Sequence, residues 1–246
     1  MKDYQAPAEL LSGRVILVTG AGDGIGRAAA LSFARHGATV ILLGRTVRKL
    51  ESVYDEIEAA NAPQAAIYPM NLQGATIDDY QELAATIERE FGRLDGILHN
   101  AAFLGSLTPL DQYDLELWAR VMQINLHAPL LLTRACLPLL KQSDDASILF
   151  TSSDVGRKGE AYWGAYAVSN AAVENLSQIL ADELETNTHI RVNTIDPGAV
   201  RTTMRTRAFP GEDPNTLPQA EAIMPAYLYL MGADSKGING QALSAQ

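Results

Sequence analysis

Eight consecutive residues carry the first chemical signal, Thr19-Gly20-Ala21-Gly22-Asp23-Gly24-Ile25-Gly26. They directly follow an apolar, strand-like run and open a segment with helical spacing. Glycines between a strand and a helix let the backbone approach a diphosphate closely, and the helix N-terminus supplies free N–H groups and partial positive charge. Gly24-Ile25-Gly26-Arg27-Ala28-Ala29 also fits the form G-x-G-x-x-G/A. Gly20, Gly22, Asp23, Gly24, Ile25 and Gly26 are therefore candidate cofactor-binding residues. The next apolar run ends at Leu43-Gly44-Arg45. An NAD site usually carries a carboxylate about here, on the ribose 2′-hydroxyl. Its absence removes a repulsion, and the Arg45 guanidinium suits a 2′-phosphate. NADP(H) is thus expected over NAD(H), with a solvated Arg45 and mixed specificity as the alternative.

These residues need a scaffold that brings strand ends together. Apolar strand-type runs cover residues 14–19, 39–43, 64–70, 94–99, 147–151 and 191–195, with an edge strand at 241–243. Helical periodicity covers 24–36, 47–60, 78–91, 115–140, 162–185 and 219–231. Strands alternating with helices predict an α/β fold, a single-domain doubly wound parallel sheet of Rossmann type with helices on both faces. The strand runs are continuously apolar, as a sheet covered on both faces requires. No linker divides the chain, so one domain over 1–246 is expected.

Composition narrows the function classes. The 246 residues include 19 Lys and Arg against 29 Asp and Glu, a net charge of −10. Such a surface repels phosphate backbones, so no nucleic-acid partner is expected. The 47% hydrophobic content excludes a wholly disordered chain. Cys136 is the one cysteine, which removes any internal disulfide and any multi-cysteine metal site. The four histidines are scattered without ligand spacing, so no metal is expected. Asp3 and Glu9 interrupt the N-terminus, and the most apolar stretch, 126–140, contains His127, Arg134 and two prolines. A cytoplasmic protein without a membrane partner is the expectation.

Several further motifs give the chain its resemblance. Residues 19–26 match TGxxxGxG, His99-Asn100-Ala101-Ala102 stands in place of NNAG, and Asn125 lies in the helical MQINL. Ser153 lies 13 residues before Tyr166, and Asp196-Pro197-Gly198 with Thr202 forms a PG-x-x-x-T element. In this order the motifs resemble the short-chain dehydrogenase/reductase family over about residues 12–243. Longer phrases such as FTSSDVGRKG and WGAYAVS look most like its YciK-type bacterial branch.

The resemblance implies hydride transfer between a nicotinamide cofactor and a small-molecule carbonyl or alcohol. By it, Tyr166 is the general acid, Ser153 binds the carbonyl oxygen, and Asn125 holds a water in a proton relay. Asn100 and Ala101 lie along the cofactor, and Asn71 and Leu72 lie near the adenine. Pro197, Gly198, Val200 and Thr202 frame the nicotinamide. Pairing of two long helices into a homodimer or homotetramer is also implied. The loops at 103–112, 156–163 and 203–218 carry no decodable substrate signature.

One departure matters. The family has a lysine four residues after the tyrosine, and this chain has Asn170. The spacing places Asn170 on the same helix face as Tyr166. Its amide can reach a ribose hydroxyl but supplies no positive charge. A cation about 4 Å from a phenolate, at an effective dielectric near 20, stabilises it by roughly 4 kcal/mol, an upper bound of about 3 pK units. Losing it predicts acid–base work slower by about 10²–10⁴-fold near neutral pH. Arg157 and Lys158 lie nearby in the chain, but no substitute cation is expected. The competing readings are a dinucleotide-binding pseudoenzyme, serving as sensor or scaffold, and a methyltransferase-like protein on a related sheet.

Overall fold

The computed structural model describes residues 1–246. The first half of the sheet contains β1 (Val15–Thr19), β2 (Thr39–Gly44), β3 (Ala66–Pro69) and β4 (Gly96–His99), with α1 (Gly24–Arg35), α2 (Val47–Ala59) and α3 (Ile77–Phe91) between them. After β4 come α4 (Leu115–Met122), α5 (Ala128–Leu140), β5 (Ala146–Thr151), α6 (Asp154–Arg157) and α7 (Gly164–Glu185). The chain finishes with β6 (Ile190–Asp196), α8 (Thr203–Ala208), α9 (Met224–Met231) and β7 (Ala242–Ser244). The sheet order is β3-β2-β1-β4-β5-β6-β7, and every neighbouring pair is parallel.

Alternation along the strands builds two cores. Ile16 and Val18 of β1 pack on one face with Phe33 of α1 and Tyr227 of α9. Val15 and Leu17 pack on the other with Ile87 of α3, Leu132 of α5 and Val173 of α7. Each such burial contributes about 1.5–3 kcal/mol relative to exposure. The winding direction reverses at β1, which has β2 on one side and β4 on the other. At that reversal the loops leaving β1 and β4 diverge and open a crevice at the carboxyl ends of the strands.

Charged anchors occupy the opposite end of the sheet. The Asp145 carboxylate holds both Arg14 and Arg191. Buried Asp95 accepts from the Val15 N–H at 2.9 Å and the Ser143 hydroxyl at 2.7 Å, and pairs with Arg93. Burial opposes ionisation of Asp95, but these donors win and hold its carboxyl below the usual range.

The structure departs from the periodicity in several places. The helix expected over 115–140 is divided by a π-turn, Gln123–His127, with Asn125 at its centre. Pro129 follows that turn and has no N–H to donate to the carbonyl four residues back, on Asn125. The Ala128 N–H reaches the Gln123 carbonyl instead. The helix expected from residue 162 begins at Gly164, because Tyr162 takes a left-handed φ of 76°. The last helix starts at Met224 after a tight turn over Ala220–Ile223. Short α6 and α8 form within segments that the sequence pattern leaves as loops.

His99 closes β4 in the core. Its ring stacks on Phe150 at 4.6 Å and shares a hydrogen bond with the Thr133 hydroxyl at 2.8 Å. Complete burial pushes its imidazole down to about 3. The folded protein therefore holds a neutral ring, while the unfolded chain takes up a proton near about pH 6.5. Stability is full above that value and falls as pH drops towards the folded value. Denaturant titrations should show a loss of about 2 kcal/mol between about pH 7 and about pH 5 that His99→Asn lacks. Parallel losses in both proteins would remove His99 as the cause.

Candidate active site

The glycine turn follows β1 and is tied to β4 by one side chain. Thr19 Oγ1 accepts the Asn100 and Ala101 N–H groups, each at 3.0 Å, and donates to the Leu98 carbonyl at 3.3 Å. The Asn100 amide donates back to the Thr19 carbonyl at 3.3 Å. A Cβ at Gly26 would lie 2.3 Å from the Gly20 carbonyl oxygen and 2.5 Å from Asn100 Nδ2. One at Gly20, where φ is +68°, would press on Ala101 at 3.0 Å. Asp23 caps α1 by accepting the Gly24 N–H at 2.8 Å. The following amides, on Ile25 and Gly26, have no backbone acceptor. Open amides over a cradle that side chains would fill fit a diphosphate.

Arg45 is exposed just beyond β2, beside this turn. Lys49 was not anticipated. It stands in the first turn of α2, packs its Cβ against Gly22, and donates to Asp23 Oδ2 at 2.5 Å. Asn71, beyond β3, is exposed and accepts the Gln73 N–H at 3.2 Å. Leu72 beside it is buried in the core that holds Leu43.

The candidate catalytic residues gather beyond β5 and along α7. Ser153 follows β5, and its hydroxyl donates to Asp154 Oδ1 at 3.0 Å. Tyr166 lies in the first turns of α7, and Asn170 stands one turn later with its amide on the Tyr166 carbonyl at 2.9 Å. Gly156 seats α6 on α7, since a Cβ there would meet Asn170 Cβ at 2.7 Å. Asn125 reaches this group through its Nδ2, which donates to the Ser169 hydroxyl at 3.0 Å and the Phe103 carbonyl at 3.1 Å. Its Oδ1 accepts the Phe103 N–H at 2.8 Å. The π-turn thus pins the loop after β4 to α7.

At the end of β6, Asp196 Oδ1 accepts the Gly198 N–H at 2.8 Å, and Gln246 donates to the carbonyls of Pro197 at 2.7 Å and Ala199 at 3.1 Å. Val200 is buried. Thr202 caps α8 by accepting the Arg205 N–H at 3.1 Å. Its methyl lies 3.4 Å from where a Gly24 Cβ would stand, so the two ends of the crevice wall meet.

Electrostatics at the phenol follow from the missing lysine. Burial pushes the Tyr166 phenol up to about 12, the Asn170 amide offsets part of the rise, and Asp196 and Asp154 add to it. Arg157 supplies no compensation at the phenol. It pairs with Glu174 at 2.8 Å and donates to the Leu243 carbonyl at 2.7 Å. Lys158 is exposed. Burial likewise raises the Asp196 carboxyl above its ordinary value.

Residues 14–213 match the family model for short chain dehydrogenase. The chain belongs to the short-chain dehydrogenase/reductase family. The Escherichia coli K12 oxidoreductase YciK, itself described as uncharacterized, is 49% identical over 243 residues, covering 99% of this chain and 96% of its own. A structure from Pseudomonas syringae, described as a short chain dehydrogenase, superposes with a TM-score of 0.98 at 60% identity and 99% coverage of both chains. A Shigella flexneri short chain dehydrogenase complexed with NADP has a TM-score of 0.95 at 49% identity, covering 98% of this chain and all of its own. The chain is thus an oxidoreductase of this family, and it has no helix long and apolar enough to cross a membrane.

An aromatic wall flanks the phenol of this dehydrogenase-family site. Trp163 lies 5.8 Å from the Tyr166 ring and 5.8 Å from Phe209, and Arg205 covers Phe209 at 3.7 Å. Met224 lies in the core with Tyr227 and takes no part in this wall. Gly26→Ala should force the glycine turn off Asn100. The expected outcome is a stability loss of about 1–3 kcal/mol in denaturant titrations, with weaker NADPH binding by fluorescence. Unchanged binding would show that the turn tolerates a methyl group.

Proposed function

We propose that the protein is an NADP(H)-dependent oxidoreductase that transfers a hydride between its cofactor and a small-molecule carbonyl/alcohol pair. The observation carrying this reading is that the glycine cradle and the Ser153–Tyr166 group stand at the same end of one sheet. The dinucleotide supplies the hydride chemistry when bound. Residues Gly20 to Gly26 hold its diphosphate on the cradle and the open amides. Arg45, with Lys49 beside it, meets the 2′-phosphate. NADP bound to the Shigella flexneri relative supports this choice, as does NADPH bound to an Escherichia coli CFT073 relative at 50% identity.

Asn71 and Leu72 flank the adenine, and Asn100 and Ala101 line the path to the ring. Pro197, Gly198, Val200 and Thr202 frame the nicotinamide. Tyr166 donates the proton to the carbonyl oxygen, and Ser153 binds that oxygen. Asn125 and Asn170 orient the helix that carries the phenol. A phenol held protonated well above neutral pH remains a proton donor but gives little phenolate. Turnover is therefore slow. Exposed Leu115, Leu130, Val168 and Ile179 on α4, α5 and α7 favour a homodimer or homotetramer built on these helices. A cytoplasmic location completes the reading.

The lysine replaced by Asn170 favours a second reading, a dinucleotide-binding pseudoenzyme. Titration with NADPH and NADH, followed by turnover on a panel of carbonyls, separates the two. Arg45→Ala should weaken NADPH about tenfold and leave NADH unchanged, as loss of a phosphate contact requires. Asn170→Lys should raise turnover about tenfold or more near neutral pH. Cofactor binding without turnover in either form would support the pseudoenzyme. Absence of binding would overturn both readings.

A further inference from the structure

The hydride-transfer reading leaves the substrate's hydroxyl proton in need of an acceptor, and a phenol pushed up to about 12 is a poor one. The Ser153 hydroxyl, just beyond β5, is already aimed at a carboxylate. Ser153 Oγ donates to Asp154 Oδ1 at 3.0 Å. A serine hydroxyl has one hydrogen and two lone pairs, so this bond leaves the oxygen free to accept from a substrate O–H. The Val155 N–H holds the same Asp154 oxygen at 2.8 Å, and the residue is exposed to water. We propose that Ser153 and Asp154 form a proton route between the reacting oxygen and solvent, with Asp154 as terminal base. This assignment rests on the hydride-transfer reading.

The step balances. In alcohol oxidation the hydride leaves carbon with its electron pair for the oxidised nicotinamide. The alcohol O–H proton moves to Ser153 Oγ as the serine proton moves to Asp154 Oδ1. The alcohol becomes a carbonyl, the serine is regenerated, and neutral Asp154 returns its proton to water. Carbonyl reduction by this route runs the same steps backwards from neutral Asp154. The Tyr166 route differs by one proton, since it starts from phenolate in oxidation.

Charged and titratable groups of three other elements surround Asp154. Tyr166 of α7, Asp196 at the end of β6 and Arg205 of α8 face it. Arg205 is held by both oxygens of Glu212, at 2.7 and 2.8 Å. Arg157, on the same short turn, is committed to Glu174 and Leu243.

The test reads proton count rather than rate alone. Oxidation of a panel of primary and secondary alcohols with NADP⁺ is followed as kcat/KM between about pH 6 and about pH 8. The wild-type profile is expected to be flat. Asp154→Asn, and Asp154→Ser as a second variant of this exposed turn, should be slower by about 10²-fold at about pH 7 and should rise about tenfold per pH unit. A purely structural role for Asp154 would lower the rates without changing the slope. The same tenfold rise in wild type and variants would overturn the route alone. A crystal structure with NADP⁺ bound gives an independent readout. Ser153 Oγ should stay within hydrogen-bonding reach of Asp154, and loss of that contact would also overturn the route. Wild-type protein that binds NADP⁺ but oxidises no alcohol and reduces no carbonyl would overturn the hydride-transfer reading itself.

Discussion

A single hydroxyl holds the site together. Where the winding of the sheet reverses, the chain leaving β1 and the chain leaving β4 turn towards opposite faces. Thr19 Oγ1 bridges them by accepting two successive amides, those of Asn100 and Ala101. Without it, two N–H groups in a partly buried setting would lack a partner, at about 1–3 kcal/mol each. The bridge also forces the two segments so close that Gly26 has no room for a side chain. The glycine pattern thus follows from the strand crossing as much as from any ligand. The cradle and the crevice are two consequences of one close approach.

The second constraint is electrostatic. The phenol on α7 is buried, and the charges that act on it are the carboxylates of Asp154 and Asp196. Desolvation and like-signed charge both penalise a phenolate, and the neutral amide of Asn170 offsets part of that. The nearby cations have other partners: Arg157 secures α6 to Glu174 of α7, and Arg205 closes onto Glu212. A site of this kind favours the protonated phenol and any positive charge on a bound ring. The Ser153–Asp154 contact lies at its solvent side, where a carboxylate remains hydrated.

Much of the fold was legible because strands buried on both faces read as unbroken apolar runs, as in residues 14–19 and 39–43. The amphipathic helices α2 and α3 were equally plain, for each has one buried stripe. The π-turn was hidden because residues 115–140 keep their apolar spacing through it, and only Pro129 marks the break. The residues of α6 and α8 are too few to show a period. Lys49 went unnoticed because its pairing with Asp23 joins two elements 26 residues apart.

Residue type and spacing alone determined the alternating α/β order, the glycine turn after β1, the cation after β2, and the asparagine in place of a lysine after Tyr166. These are local properties, set by side-chain volume, backbone freedom and charge, and they survive in a one-dimensional reading. Tertiary structure decided which partners those groups take. It gave the Asn125 amide to Phe103 and Ser169, Arg157 to Glu174, and the Ser153 hydroxyl to Asp154. Hydrogen bonds act over about 3 Å in space regardless of separation along the chain, so competition among donors and acceptors is settled only when the elements pack.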